Sequence, residues 1–208
     1  MACPDVGEGT RLAAATGAWI CFEDEAGQNL RPPKARTWAR RGCTPVVVVS
    51  GKGSGRVSVA GLVCLRPGTR GRFFYRVRIH RGRKGERRSM SEADYAGLVT
   101  AAHNQLKAPV ILVWDNLNTH ISATMRTFTG AHPDWLTVAR LPAYAPDLNP
   151  VEGAWANMKN SLGNLGGCST PDRLAAIVKN RLKRIQYRPA LIDGFLAQTG
   201  LSLEPEPP

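Results

Sequence analysis

Residues 141–160, LPAYAPDLNPVEGAWANMKN, place three prolines (Pro142, Pro146, Pro150) just ahead of a helical pattern whose first turn carries a carboxylate, Glu152. Asn149 has the side chain of a helix cap, Pro150 suits the first helical position, and Glu152 falls at the third. So much punctuation before one acid, in a chain with a net charge of +12, predicts that Glu152 is held at a fixed place opposite other carboxylates.

Working upstream, WLTVARLPA (135–143) reads as a strand feeding this turn. PVILVWDN (109–116) is a continuous apolar run of the kind buried on both faces at the centre of a sheet, and Asp115 follows it at once. Between these two, HISATMRTF puts Ile121, Met125 and Phe128 on one helical face. In SEADYAGLVTAAHNQLK (91–107), Tyr95, Leu98, Val99, Ala102 and Leu106 form a stripe, with Ser91 as N-cap. RFFYRVRIH alternates Phe73, Tyr75, Val77 and Ile79 with Arg76, Arg78 and His80, which predicts a half-buried strand with a basic outer face. TPVVVVS and RVSVAGLVCL read as further strands around a glycine turn, and AWICFEDE (18–25) as a short buried strand that ends in acids.

Downstream, Thr170 and Pro171 repeat the cap-then-proline signal, and Leu174, Ile177, Val178, Leu182 and Ile185 mark an amphipathic helix. PALIDGFLAQTGL adds a shorter one. Residues 1–17 read as a flexible tail, 18–203 as a single α/β domain with C-terminal helices, and 204–208 as a disordered tail.

Charge points to the partner. The chain has 208 residues with 28 Lys or Arg against 16 Asp or Glu, and 19 of those cations lie in residues 31–41, 70–88 and 179–188. Clustering of that kind predicts a polyanion, nucleic acid first. Five widely spaced cysteines without a C-x-x-C pair support neither a disulfide framework nor a zinc site, and read as reduced residues of a cytoplasmic protein. No apolar run approaches a membrane span, so no membrane partner is expected.

The candidate chemistry lies where acids interrupt apolar elements: Asp24, Asp115 and Glu152. If the first and central strands are neighbours, Asp24 and Asp115 stand roughly 5 Å apart. Carboxylates so close repel unless a cation neutralises them, and hard oxygen donors favour magnesium or manganese. Two such ions suit phosphodiester chemistry. Taken singly, each acid also reads as an ordinary turn or capping residue. Glu23 and Glu25 flank Asp24 and, by strand alternation, face the other way, so only one set can point into a site.

FEDEAG (22–27), VWDNLNTH (113–120) and LPAYAPDLNPVEGAWANMK (141–159) together resemble the catalytic domain of DDE transposases, in the bacterial insertion-sequence branch of the mariner superfamily. The likeness runs from about Trp19 to Leu201, and the 37-position spacing from Asp115 to Glu152 fits it. It implies an RNase H-like fold, a mixed five-stranded sheet flanked by helices. It also implies Asp24, Asp115 and Glu152 as ligands of two Mg2+ or Mn2+ ions. The implied reaction is cleavage of DNA at an element's ends, then attack of the freed 3′-hydroxyl on target DNA, by a homodimer assembled on double-stranded DNA in the bacterial cytoplasm. A nuclease that only hydrolyses nucleic acid, or a non-catalytic DNA-binding remnant, is the alternative.

Asn116, His120 and Asn149 are the candidate supporting residues. Candidate DNA contacts are Arg36, Arg40 and Arg41 with Trp38 interleaved, then Arg76, Arg78, Arg83, Lys84, and Lys159 two turns beyond Glu152. Trp155 reads as core. The helix-turn-helix modules usual in that family find no matching pattern in the 23 residues before Asp24, so the sequence reads as a catalytic domain alone.

Overall fold

A computed structural model of the chain describes all residues except 1–5, 35–37, 47–54, 88, 116, 118, 143–144, 164, 166–167, 169 and 204–208. Five strands form one sheet in the order β3-β2-β1-β4-β5: β1 (Trp19–Asn29), β2 (Arg56–Leu65), β3 (Arg72–His80), β4 (Val110–Trp114) and β5 (Leu136–Arg140). The first three form an antiparallel meander, whereas β4 and β5 run parallel to β1, so the sheet is mixed. β4, the apolar run VILVW, is buried along its whole length, as a strand covered on both faces must be.

Helices cover both faces. On one lie α1 (Val6–Thr16), α4 (Pro150–Ser161), α5 (Pro171–Gln186) and α6 (Pro189–Thr199), closing a core around Ile20, Phe22, Val63, Val113 and Trp155. On the other lie α2 (Glu92–Leu106) and α3 (Ala123–Gly130), over Cys21, Leu62, Leu112, Trp114 and Tyr95. Even-numbered β1 residues therefore face α4 and odd-numbered ones face α2, following the period of two.

Four expectations need correction. β1 does not end with the acids at residue 25 but continues to Asn29, because its antiparallel partner β2 pairs with it as far as Asn29–Arg56. It is β4 that stops early: its last pair with β1 is Phe22–Val113. Residues 6–16, expected to be part of a loose tail, form α1. Its buried side is built from small residues: Ala13 is in the core and Gly9 lies over Ile111 and Ala139, so no large apolar stripe marks it in the sequence. Gly17, at φ +67°, ends the helix in the left-handed conformation. The described part of TPVVVVS, residues 44–46, has no regular structure and Val46 is exposed; the rest lies outside the described residues, as does the tail 204–208. Finally, the basic face of β3 is not a free outer face: His80 is buried, and Arg76 and Arg78, though still partly exposed, are paired. It lies under the start of α2, where Asp94 takes Arg76 Nε at 3.1 Å and Arg78 Nη1 at 2.6 Å.

Cys21, Cys43, Cys64 and Cys168 are free thiols. Among the described residues no helix is long and apolar enough to cross a membrane.

Candidate active site

Because β1 outruns β4, the sheet has a notch just past Phe22 and Val113, and polar side chains fill it. Extending the parallel register by two residues sets Asp24 beside Asp115, on the face that carries α4. Both line a cleft of about 270 Å³ with Glu25, Gly27, Arg56, Leu117 and His120.

Asp24 is held from two sides. Its Oδ2 accepts from Trp155 Nε1 at 2.9 Å and its Oδ1 from the Glu25 amide at 2.8 Å. Burial, then the charges of Glu23 and Glu152, push its pKa up to about 7. Asp115 moves the opposite way. A hydrogen bond from His120 is the main cause, and the Leu117 amide adds another at 2.9 Å.

His120 bridges the two faces of the sheet. Its Nδ1 lies 3.0 Å from Asp115 Oδ1 and its Nε2 3.0 Å from Glu23 Oε2. The ring stacks on Trp114 at 4.5 Å and meets Tyr95 edge-on at 4.9 Å. Burial alone would lower its pKa, but the two carboxylates raise it to about 9, so the ring is an imidazolium at neutral pH. Glu23 is buried, and burial pushes its carboxyl up despite that neighbour. Glu25 points to the same side, with its oxygens taken by Tyr95 Oη at 2.6 Å and the Met90 amide at 3.4 Å.

α4 supplies the third acid. Asn149 caps the helix, its Oδ1 accepting from the Val151 amide at 3.1 Å, while its Nδ2 donates to the Glu23 carbonyl at 3.1 Å. One buried side chain thus ties the helix start to the strand that carries Asp24. Glu152 is exposed, and although its charge reaches Asp24, its side chain lines a separate groove between α4 and α6 with Asp147, Gly153 and Phe195.

The donor chemistry fits a hard divalent cation: oxygen ligands, with mutual repulsion already felt at Asp24. It is not a preformed cage. Among the described residues no group of three or more His, Cys, Asp or Glu side chains is arranged to hold a metal. Magnesium characteristically uses one or two carboxylates plus substrate phosphate, so a partial site in the free protein is consistent with it.

The other candidates fall differently. Asn116 and Arg36 lie outside the described residues. Trp38 is 99% exposed, and Arg40, Arg41, Arg83 and Lys84 are exposed too. Arg76 and Arg78 are committed to Asp94, and Lys159 sits exposed about 10 Å along α4 from Glu152. Glu23, Tyr95 and Arg56 are members of the site that the sequence argument did not single out. Trp155 is core as expected, yet also holds Asp24, and its three-residue offset from Glu152 was the available signal.

Comparison with known proteins gives a family and a fold. Residues 19–174 match the DDE superfamily endonuclease family. Among solved structures, the mariner Mos1 paired-end complex with Mg aligns at a TM-score of 0.57 and 16% identity, over 87% of this chain and 53% of that one. The Mos1 transposase paired-end complex with left transposon end gives 0.49 at 18% identity, over 89% and 56%. The Mos1 strand transfer complex gives 0.48 at 18%, again over 89% and 56%. This chain therefore spans about half the length of each of these three. The first likeness establishes the RNase H-like fold. No curated protein matches the sequence.

Proposed function

The chain belongs to the DDE superfamily of endonucleases, and from that membership we propose that it is the catalytic part of a mariner-type transposase, cutting DNA at element ends and joining them to a target. The observation that carries this reading is the shared cleft of Asp24 and Asp115, with Glu152 close enough to act on Asp24. Asp24, Asp115 and Glu152 are the catalytic carboxylates and would hold magnesium or manganese, as a pair of ions. When bound, these would neutralise the carboxylates and the phosphate and acidify water.

The chain's own residues keep the carboxylates in place. His120 and the Leu117 amide fix one oxygen of Asp115, leaving lone pairs for a ligand. Trp155 and the Glu25 amide each hold a different oxygen of Asp24, and Asn149 sets where α4 begins. The first reaction adds water across a phosphodiester, leaving a 3′-hydroxyl and a 5′-phosphate. In the second, that hydroxyl oxygen displaces a 3′-oxygen in target DNA, so one phosphodiester forms as another breaks. Neither needs a covalent bond to the protein.

The partner is double-stranded DNA, both element end and target, with two copies of the chain acting together. The Mos1 structure with the highest similarity quoted above is a paired-end complex with Mg, which supports both the partner and the ion. The test is cleavage and joining of labelled duplex ends by the 208-residue chain with magnesium or manganese. Wild type should do both, and Asp24→Asn, Asp115→Asn and Glu152→Gln neither. Cleavage without joining would reduce the protein to a nuclease, and DNA binding without cleavage to a remnant.

A further inference from the structure

Arg56 opens β2, opposite Asn29 on β1 and His80 on β3, and reaches into the cleft that Asp24 and Asp115 line. Its guanidinium folds across the neighbouring strand onto Gly27, where a Cβ would collide with Nη2. The Nε is buried and has no hydrogen-bond partner among the described residues. Such a donor is costly to leave unmet, since a buried unsatisfied group forfeits its hydration.

Three carboxylates line the same cleft, yet none forms an ion pair with Arg56 among the described residues. Each is engaged elsewhere: Asp24 by Trp155, Asp115 by His120, and Glu25 by Tyr95 and the Met90 amide. His120, the other cation of the cleft, lies between Glu23 and Asp115. Arg56 is thus the one cation lining the cleft, among the described residues, without an acidic partner.

We propose that Arg56 binds a non-bridging oxygen of a DNA backbone phosphate entering this cleft, and so positions the phosphodiester against Asp24 and Asp115. A planar guanidinium presents paired N–H donors that match phosphate geometry, and a phosphate in this acid-lined cleft needs such a counter-charge. Gly27 keeps the space into which the guanidinium folds. The proposal rests on the reading of the cleft as a phosphodiester-cutting site.

The test compares wild type with Arg56→Ala, Arg56→Lys and Gly27→Ala, using fluorescein-labelled duplex DNA, with cleavage kinetics in magnesium and binding measured across a salt series. Arg56→Ala should lower kcat/KM roughly 10- to 100-fold, the range for a charge-assisted hydrogen bond. It should also make the plot of log affinity against log salt shallower by about 0.9, the share of one phosphate contact. Arg56→Lys should restore the salt slope but not the full rate, because lysine keeps the charge and loses the fork. Gly27→Ala should lose rate with its arginine intact and its melting temperature unchanged, since the added methyl displaces only the end of a flexible side chain. A wild type that cleaves, beside an Arg56→Ala protein of equal rate and equal slope, overturns the proposal. A wild type that binds without cleaving defeats the transposase reading instead; the slope then judges Arg56 alone, and an unchanged slope overturns it.

Discussion

Glu23 has an unfavourable position for a carboxylate: its side chain is fully buried, and His120 Nε2, at 3.0 Å, is its nearby cation. Removing that imidazolium would strand a buried charge, which costs roughly 3–5 kcal/mol when one partner of a buried pair is deleted. His120→Ala should therefore destabilise the protein by about that much in urea unfolding. Glu23→Gln, which removes the charge with little change in volume, should cost clearly less; equal costs would mean that the pair is not what His120 contributes. Asp94, which does not line the cleft, permits a titration. Burial works against its charge, but hydrogen bonds from Ser91 and Arg78 outweigh that and hold it at about 2 against an ordinary 3.8. A depressed carboxyl stabilises the fold above its unfolded pKa and loses that contribution as the pH falls through its folded one. The shift corresponds to about 2 kcal/mol. It should be present at neutral pH, disappear between about pH 4 and pH 2, and be absent at every pH from Asp94→Asn. Such partnerships were only half legible in the sequence. Alternation along FEDEAG indicates that Glu23 and Asp24 face opposite ways, but nothing in it says that a histidine 97 positions later links the two faces.

Elements were legible where one physical signal dominated. VILVW could hardly be anything but a central strand, and the Ser91 cap and Asn149-Pro150 start stand where the side chains put them. The signal failed where structure depends on a neighbour. β1 continues past Asp24 because β2 pairs with it, and α1 packs through glycine and alanine, which carry almost no hydrophobic signature. The same dependence makes Gly61 decisive. It is paired with Asp24 across β1 and β2, and a Cβ there would stand 2.6 Å from Trp155 Cη2 and 3.2 Å from Phe73 Cε2. The bare backbone thus leaves room for the indole that hydrogen-bonds Asp24. Gly61→Ala should overpack this point and cost about 1–3 kcal/mol, read by urea unfolding. Under the proposed function it should also lower cleavage by displacing Nε1. Trp155→Phe should likewise lose cleavage, at a stability cost of roughly 2–4 kcal/mol from the missing hydrogen bond and the cavity left in the core. A variant at Gly61 that unfolds like wild type would show that the indole has freedom the packing denies it.

Across the whole molecule the acids and the bases share one end. The residues of β1 from Asp24 onward, the start of β2, the end of β3 and Asp115 after β4 lie together by register. Arg76, two strands across from Glu25 through Ala60, is roughly 10 Å away at ordinary strand spacing. α5 runs antiparallel along β3: Arg81 Nη2 reaches Asp172 Oδ1 at 2.6 Å near one end, and Gln186 Nε2 reaches the Phe73 carbonyl at 3.0 Å near the other. Two of the three basic stretches, 70–88 and 179–188, are thereby brought into contact although about a hundred positions separate them in the chain, with Arg76 and Arg78 on the α2 side of the sheet and α5 on the other. The sequence revealed the runs but not their contact, because only the packing of α5 on β3 brings them together. Lys179 and Lys183 are exposed, one turn apart on that helix. They are candidates for phosphate contacts that position DNA without reading its sequence. Each phosphate neutralised releases counterions, so affinity for any duplex should fall steeply as salt rises. Lys179→Glu and Lys183→Glu should each weaken binding to unrelated sequences by the same factor and make the salt dependence shallower by about 0.9. Neither change should alter the melting temperature appreciably, since both side chains are in solvent. Should either reversal weaken one duplex and spare another, these lysines would be reading bases and not only holding phosphates.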